Sequence, residues 1–248
     1  LRKHQKDIAK GKDVAHWDYG RQGTQTTVQL QKLLRDLEGA YQVFLTPTGF
    51  SAVVLAIMSI CRPGDEIVIS DGVYRPTQKL TDDLLKEFNV KAIWYNPSNF
   101  EDLKNKITKK TKLIYVENPG SNTFEMQDLS KVVSLAKSKN IFTAIDNTWA
   151  TAYFFKPLKL GFDMAITSAT KYYSGHSDVM GGTVAVNKKV YKKVWWYNHV
   201  SGYRLSPDDA YLIIRGLRTL DIRMDKHQES TKKIINFLKN QKKISKIL

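Results

Sequence analysis

Short apolar runs alternate with amphipathic stretches over most of this chain, which predicts strands separated by helices. The runs predicted as strands are 43–45, 66–70, 91–95, 112–116, 141–145 and 163–167, with one more strand after the glycines at 181 and 182. The stretches predicted as helices are 30–37, 50–60, 77–88, 100–107, 127–138, 190–197, 210–215 and 220–248. Strands that alternate with helices imply crossover connections, so the fold class is α/β with a mainly parallel sheet.

Polar and glycine residues mark where several of these helices begin and end. Thr26 or Thr27 is expected to cap the first helix, and Gly39 to end it. Thr48 is expected to cap the helix that starts near Gly49, and Pro207 to occupy a first helical position.

A single lysine, Lys171, lies among hydroxyl side chains in the stretch 168–176, directly after an apolar run. A lysine held near apolar groups loses affinity for its proton, because desolvation penalises the charged form. A neutral amine can attack a carbonyl, and hydroxyls such as those of Ser168 and Thr170 can hold a phosphate. The pattern suggests a lysine that carries pyridoxal phosphate, but taken alone it is more often a surface lysine in a polar loop.

Two further places fit the same cofactor. The helix start at Gly49 and Phe50 presents unpaired backbone N–H groups, which suit a phosphate, although for this stretch alone an ordinary capped helix is the favoured explanation. Tyr74 lies in a loop at the carboxyl end of a strand, where ligands bind in open α/β sheets. It can stack on a planar ring or serve only packing.

Asp146 ends the apolar run 141–145. A carboxylate in such a place is costly unless it is paired. The protonated ring nitrogen of pyridoxal is a suitable partner, and hydrogen bonds from loop backbone are the alternative.

The formal net charge of +15 raises the alternative of a basic nucleic-acid-binding protein. The lysines are spread along the chain and become dense only from Lys232 to Lys246. Because a patch or groove is the meaningful signal, we expect a solvated surface and no nucleic acid partner.

One cysteine, Cys61, excludes an internal disulfide and is consistent with a reducing cytoplasm. The longest apolar run, 50–61, is shorter than the roughly 20 residues that cross a bilayer, so no membrane partner is expected. No metal-ligand spacing, phosphate-binding Gly-x-x-x-x-Gly-Lys or Gly-x-Ser-x-Gly motif occurs. His176 is expected to order its loop through a hydrogen bond rather than to act as a base.

Taken in order, the motifs resemble the Cys/Met-metabolism family of pyridoxal-phosphate enzymes. They are Tyr-Gly-Arg-Gln-Gly-Thr (19–24), Thr-Gly-Phe-Ser-Ala (48–52), Tyr74, Ile-Asp-Asn-Thr-Trp (145–149), Ser-Ala-Thr-Lys-Tyr (168–172), Gly-His-Ser-Asp (175–178) and Arg-Gly-Leu-Arg-Thr-Leu (215–220). The resemblance implies the large domain of fold type I, as in aspartate aminotransferase, with pyridoxal 5'-phosphate as cofactor.

The resemblance also implies roles for individual residues. Lys171 would bond covalently to the cofactor, Asp146 would pair with its ring nitrogen, and Tyr74 would stack on its ring. The phosphate would be held by four residues: Gly49, Phe50, Ser168 and Thr170. Tyr19 and Arg21 would complete the site of a neighbouring subunit, because family members share sites across a dimer and usually form homotetramers.

Asp-Asn-Thr-Trp and the stretch 171–178 most resemble the bacterial members that cleave cystathionine by β-elimination in methionine biosynthesis. Other members, which act at Cγ as synthases or lyases, are the alternative. The expected domains are an arm (1–23), a cofactor-binding domain (24–217) and the start of a truncated C-terminal domain (218–248). Family members extend further and supply an arginine for the substrate carboxylate, so this chain is expected to be a weak catalyst or an inactive fragment.

Overall fold

The structure is a computed structural model that describes residues 19–247. Most of the expected arm, 1–18, lies outside the described residues. Seven strands form one sheet. The strands are β1 (Gln42–Thr46), β2 (Glu66–Ser70), β3 (Lys91–Tyr95), β4 (Thr111–Glu117), β5 (Phe142–Asp146), β6 (Met164–Ser168) and β7 (Gly182–Val186).

Helices connect nearly all of these strands. The first five are α1 (Gln25–Glu38), α2 (Gly49–Ile60), α3 (75–87, with a π-helical turn at Leu80–Leu84), α4 (Phe100–Lys106) and α5 (Leu129–Ser138). The others are α6 (Thr151–Phe154), α7 (Pro157–Leu160), α8 (Tyr191–Ser201), α9 (Pro207–Leu217) and α10 (Leu220–Lys239).

The strand order is β1-β7-β6-β5-β4-β2-β3. Strands β2 to β6 pair in parallel, whereas β7 runs antiparallel to both β1 and β6. The predicted mainly parallel α/β sheet is therefore confirmed. All strands except β7 point their carboxyl ends to one edge of the sheet.

Both faces of the sheet are buried, as expected where helices cover a parallel sheet on each side. Successive residues of β4 show the alternation: Leu113 and Tyr115 belong to one hydrophobic core, and Ile114 and Val116 to the other. Helix α2 packs in the first core, while α1, α5 and α9 pack in the second. The two cores fix the strand ends that carry the site.

Several predicted helix ends are confirmed. Thr48 caps α2, Gly39 ends α1 in a left-handed conformation with φ 64°, and Pro207 lies in the first turn of α9. The cap predicted at Thr26 or Thr27 is wrong, because Thr24 caps α1. The Thr24 and Thr27 side chains each accept a hydrogen bond from the other's backbone N–H, and this satisfies two donors at once.

The last predicted helix, 220–248, is too long. Helix α10 ends at Lys239, and Asn240 leaves the helical conformation with ψ near 1°. The residues after Leu238 carry no apolar periodicity that would bury a further turn. The boundary at 217/218 falls between α9 and α10 and stays a prediction. No helix among residues 19–247 combines the length and apolar character needed to cross a bilayer.

Candidate active site

A cleft of about 1380 Å³ opens at the edge where the parallel strands end. Carboxyl ends of strands gather side chains there because the crossover helices leave that edge open to ligands. The cleft brings together seven of the residues singled out in the sequence: Gly49, Phe50, Tyr74, Asp146, Ser168, Thr170 and Lys171.

One end of the cleft is the start of α2. Thr48 and Ser51 cap this helix reciprocally, and Gly49 and Phe50, the first two residues of α2, line the cleft. A side chain at Gly49 would place its Cβ 2.7 Å from the Ser168 Cβ, so only glycine fits. The bare backbone and the helix N-terminus together suit a phosphate.

The two hydroxyls expected to hold that phosphate differ. Ser168 lies directly against Gly49. The Thr170 hydroxyl accepts a hydrogen bond from the Gly181 N–H at 3.0 Å and donates one to the Gly181 oxygen at 3.2 Å. The donor of Thr170 is thus engaged within the chain, and Ser168 is the better placed of the two.

Asp146 forms the floor of the cleft and is 8% exposed. One carboxylate oxygen accepts a hydrogen bond from the Thr148 N–H at 2.9 Å, so the alternative of a backbone partner is realised. Burial nevertheless raises the pKa of the Asp146 carboxyl. It forms no ion pair with a lysine or arginine in the described part of the chain. A protonated pyridine nitrogen would supply the missing positive charge.

Lys171 follows β6 on a turn in which its N–H donates to the Ser168 oxygen at 3.1 Å. It lines the cleft, but it is an exposed residue. The expected apolar enclosure is therefore wrong. The buried run ends at Thr167, and the chain leaves the sheet before it reaches Lys171, so the lysine lies at the open mouth of the cleft.

Exposed aromatic side chains form the rim. Tyr74 is 48% exposed, and its backbone N–H donates to the Glu117 carboxylate at 2.7 Å. Phe50 and Trp149 also line the cleft, and Trp149 contacts Phe124 edge to face. A planar ring can stack on such side chains, as expected for Tyr74.

Tyr19 and Arg21 do not line this cleft. The chain makes a short turn at Gly20–Gln22, and the Arg21 guanidinium donates to the His199 oxygen at 3.3 Å. Arg204 in turn donates to the Arg21 oxygen. Their place in the site of a neighbouring subunit stays a prediction.

Several residues that line the cleft had no role assigned from the sequence, among them Glu117, Arg223 and His227. Glu117 ends an apolar strand as Asp146 does, so the same rule could have found it. Arg223 comes from α10 and donates to the oxygens of Tyr172 and Gly216, a contact that no local pattern reveals.

His176 is exposed, and its ring contacts the Ser174 oxygen at 2.6 Å, which confirms the expected ordering role. Within residues 19–247, no three His, Cys, Asp or Glu side chains are grouped so that they could hold a metal ion.

The sheet, the lysine after β6, the buried aspartate that ends β5 and the glycine-led start of α2 define the large domain of a fold type I pyridoxal-phosphate enzyme. Cystathionine gamma-lyase from Lactobacillus plantarum, in a crystal structure with L-serine, superposes with a TM-score of 0.90 at 31% identity. The match covers 94% of this chain and 61% of that one.

The chain belongs to the Cys/Met metabolism family of PLP-dependent enzymes, whose family model matches residues 2–248. Its cofactor is accordingly pyridoxal 5'-phosphate. A protein from Rhizobium johnstonii named putative cystathionine beta-lyase is 38% identical over 94% of this chain and 59% of its own. Other bacterial relatives named cystathionine beta-lyase are 34–36% identical.

The L-alanine/L-glutamate racemase of Wolbachia pipientis is 34% identical over 98% of this chain and 60% of its own. The chain thus spans about three fifths of the length of the curated relatives it matches.

Proposed function

We propose that the chain carries the cofactor site of an enzyme that cleaves cystathionine by β-elimination in methionine biosynthesis. With one water, cystathionine would yield homocysteine, pyruvate and ammonia. The observation that carries the proposal is the single cleft that gathers Lys171, Asp146, Tyr74 and the start of α2.

The residues present fit pyridoxal phosphate. Gly49, Phe50 and Ser168 would hold the phosphate, with Thr170 beside them, and Lys171 would bond to the aldehyde. Tyr74 would cover the ring, and Asp146 would keep a proton on the ring nitrogen. When bound, the cofactor supplies an electron sink for the charge that develops at the substrate Cα.

Lys171 is also the proposed base. When it is not bonded to the cofactor, the Lys171 amine would be neutral and would be placed to remove the substrate Cα proton. Loss of that proton allows homocysteine to leave from Cβ, and the remaining three-carbon unit hydrolyses to pyruvate and ammonia. The lysine at the open mouth of the cleft has space to move between the two tasks.

The names of the bacterial relatives support β-elimination over the other chemistries of the family. Cleavage at Cγ is the second candidate, supported by the likeness to the gamma-lyase of Lactobacillus plantarum. It would yield 2-oxobutyrate instead of pyruvate.

We further infer that the 248-residue chain by itself is a poor catalyst. Arg223, which lines the cleft, donates to backbone oxygens, and Arg215 pairs with Asp178, which also lines it. A substrate carboxylate needs a free arginine for bidentate binding.

A homodimer or homotetramer with shared sites is proposed for the whole protein, because Tyr19 and Arg21 lie away from the cleft of their own chain. The buried lone thiol of Cys61 is compatible with a cytoplasmic location.

The test is product analysis with cystathionine, on the full-length protein and on its Lys171→Ala variant. We expect pyruvate from the wild type and a loss of at least about 1000-fold in the variant. Pyruvate formation by the variant at a wild-type rate contradicts the role of Lys171, and 2-oxobutyrate as the main product favours γ-cleavage.

A further inference from the structure

Glu117 ends β4 next to Asp146, which ends β5. The two residues are register partners on adjacent parallel strands, so their Cα atoms lie about 4.8 Å apart and their side chains leave the same face. Both side chains line the cleft, and Glu117 is 5% exposed. The floor of the cleft is therefore built from two adjacent buried carboxyl groups.

The basic side chains that line the same cleft, Lys171, Arg223 and His227, make no ion pair with Glu117 or Asp146. Neither carboxylate forms an ion pair with any other lysine or arginine among the described residues. Two carboxylates that share a buried site do not both ionise near neutral pH, because their repulsion is not screened by water. One proton is thus kept in the pair.

The two carboxyl groups have different partners. Asp146 accepts from the Thr148 N–H at 2.9 Å, and this bond, like the one that Glu117 accepts from a backbone N–H, favours the ionised carboxylate. Glu117 accepts from the Tyr74 N–H at 2.7 Å, and that contact joins β4 to the loop that carries the rim tyrosine. A protonated glutamic acid still accepts this bond through its carbonyl oxygen, as a glutamine would.

We propose that Glu117 is a positioning residue that holds the Tyr74 loop over the cleft and keeps the proton it shares with Asp146. Asp146 is then the carboxylate that ionises when a cationic ring nitrogen lies beside it. The inference rests on the proposed function, because it assigns Tyr74 and Asp146 to the cofactor ring.

The electrostatics of the cleft agree with this division. Burial raises the pKa of Glu117 to about 8, and the neighbouring Asp146 carboxylate adds to the rise. Glu117 interacts electrostatically with Asp146 on β5 and with Tyr115 on β4 itself. The other titratable or charged groups that line the same cleft are Tyr74 before α3, Lys171 and Tyr172 after β6, Asp178 before β7, Asp209 on α9, and Arg223 and His227 on α10.

Because the pKa of Glu117 is raised in the folded chain, stability changes with pH in a defined direction. Between pH 4.5 and about 8, the folded chain holds a proton on Glu117 that the unfolded chain has released. Stability therefore falls as pH rises through this window, and a glutamine at this position removes the loss.

The experiment compares the wild-type chain with Glu117→Gln, Glu117→Ala and a control, Glu66→Gln. Glu66 begins β2 at the opposite edge of the same sheet and is half-buried. Melting temperatures without cofactor are measured from pH 5 to 9, and binding of pyridoxal 5'-phosphate is followed by absorbance at pH 7.

We expect Glu117→Gln to melt at the wild-type temperature at pH 5 and about 5 °C higher at pH 9. It should bind the cofactor within about threefold of wild type, because the acceptor for the Tyr74 N–H remains. Glu117→Ala should bind at least about tenfold more weakly, since that N–H loses its partner. The control should follow wild type in both measurements.

If the melting temperatures of wild type and Glu117→Gln depend on pH in the same way, the proposal that Glu117 keeps a proton is wrong. Equal losses of affinity in Glu117→Gln and Glu117→Ala overturn the positioning role. If the wild-type chain binds no pyridoxal 5'-phosphate, the proposed function fails instead, and the melting comparison without cofactor still decides whether Glu117 holds the proton.

Discussion

Two regions of the molecule were expected to bind the same cofactor: the cleft at the strand ends and the turn 19–23. In the fold they lie in different places. The cleft residues at the carboxyl ends of β4, β5 and β6 converge within one chain, because a parallel sheet brings its strand ends to one edge. The turn 19–23 lies instead beside the end of α8, held by Arg204. The sheet thus brings one part of the proposed site together within the chain, and the other part would need a neighbouring subunit, as proposed above.

The largest loss of cofactor binding in the cleft is expected from a methyl group at Gly49. Gly49→Ala places a Cβ against Ser168, and we expect cofactor binding to weaken about 100-fold because the helix start must shift. In a Ser168→Gly background, where the opposing Cβ and hydroxyl are gone and only the Cα at 3.1 Å remains, the same change should cost less than about threefold. An equal loss in both backgrounds, measured by absorbance titration, would argue against close packing at this end of the cleft.

A buried contact between Tyr173, which follows the Lys171 turn, and Glu38 at the end of α1 predicts that stability depends on pH. Tyr173 donates to the Glu38 carboxylate at 2.6 Å, and burial raises the pKa of Glu38 to about 7. The folded chain therefore holds a proton that the unfolded chain releases above pH 4.5, so stability falls from pH 4.5 to 7 and stays low above it.

Glu38→Gln should stabilise the chain at pH 8 by about 2 kcal/mol, which is roughly 4 °C in melting temperature, and leave it unchanged at pH 4. An exposed glutamate, Glu101, provides the matched control through Glu101→Gln. If Glu38→Gln is less stable than wild type at pH 8, the ionised Glu38 carboxylate itself stabilises the contact with Tyr173, contrary to this prediction.

The proposed role of the turn 19–23 in a neighbouring subunit predicts an effect on cofactor binding that can be seen only when two chains associate. Arg21→Ala should weaken cofactor binding about tenfold, because a phosphate loses one charged partner. When Arg21→Ala and Lys171→Ala chains are unfolded and refolded together, about a quarter of the sites should regain wild-type affinity if two subunits build each site. If no sites regain wild-type affinity, Arg21 and Lys171 do not belong to one site that is shared between two chains.

Arg204 should give the smallest effect, since it acts on the turn and not on the ligand. Arg204→Lys removes the guanidinium that donates to the Arg21 oxygen and to the Asn198 side chain. We expect about a threefold loss of cofactor affinity by absorbance titration. A loss as large as that of Arg21→Ala would mean that Arg204 contacts the ligand itself.

The alternation of apolar runs and helices predicts the fold well, because the strands inside the sheet are buried on both faces and several helices pack one apolar side on the sheet. The residues at strand ends, such as Asp146, follow from the same pattern. What the sequence does not disclose is contact between distant segments. The exposure of Lys171, the engagement of Thr170 with Gly181 and the approach of Arg223 from α10 all depend on how separate loops pack.

The most direct test is to locate the covalent attachment of the cofactor. The chain is incubated with pyridoxal 5'-phosphate, reduced with borohydride, digested and analysed by mass spectrometry. We predict that the added mass lies on Lys171 alone among the lysines of the chain. Stoichiometric labelling of any other lysine, with Lys171 unmodified, would contradict the assignment of this cleft as the cofactor site.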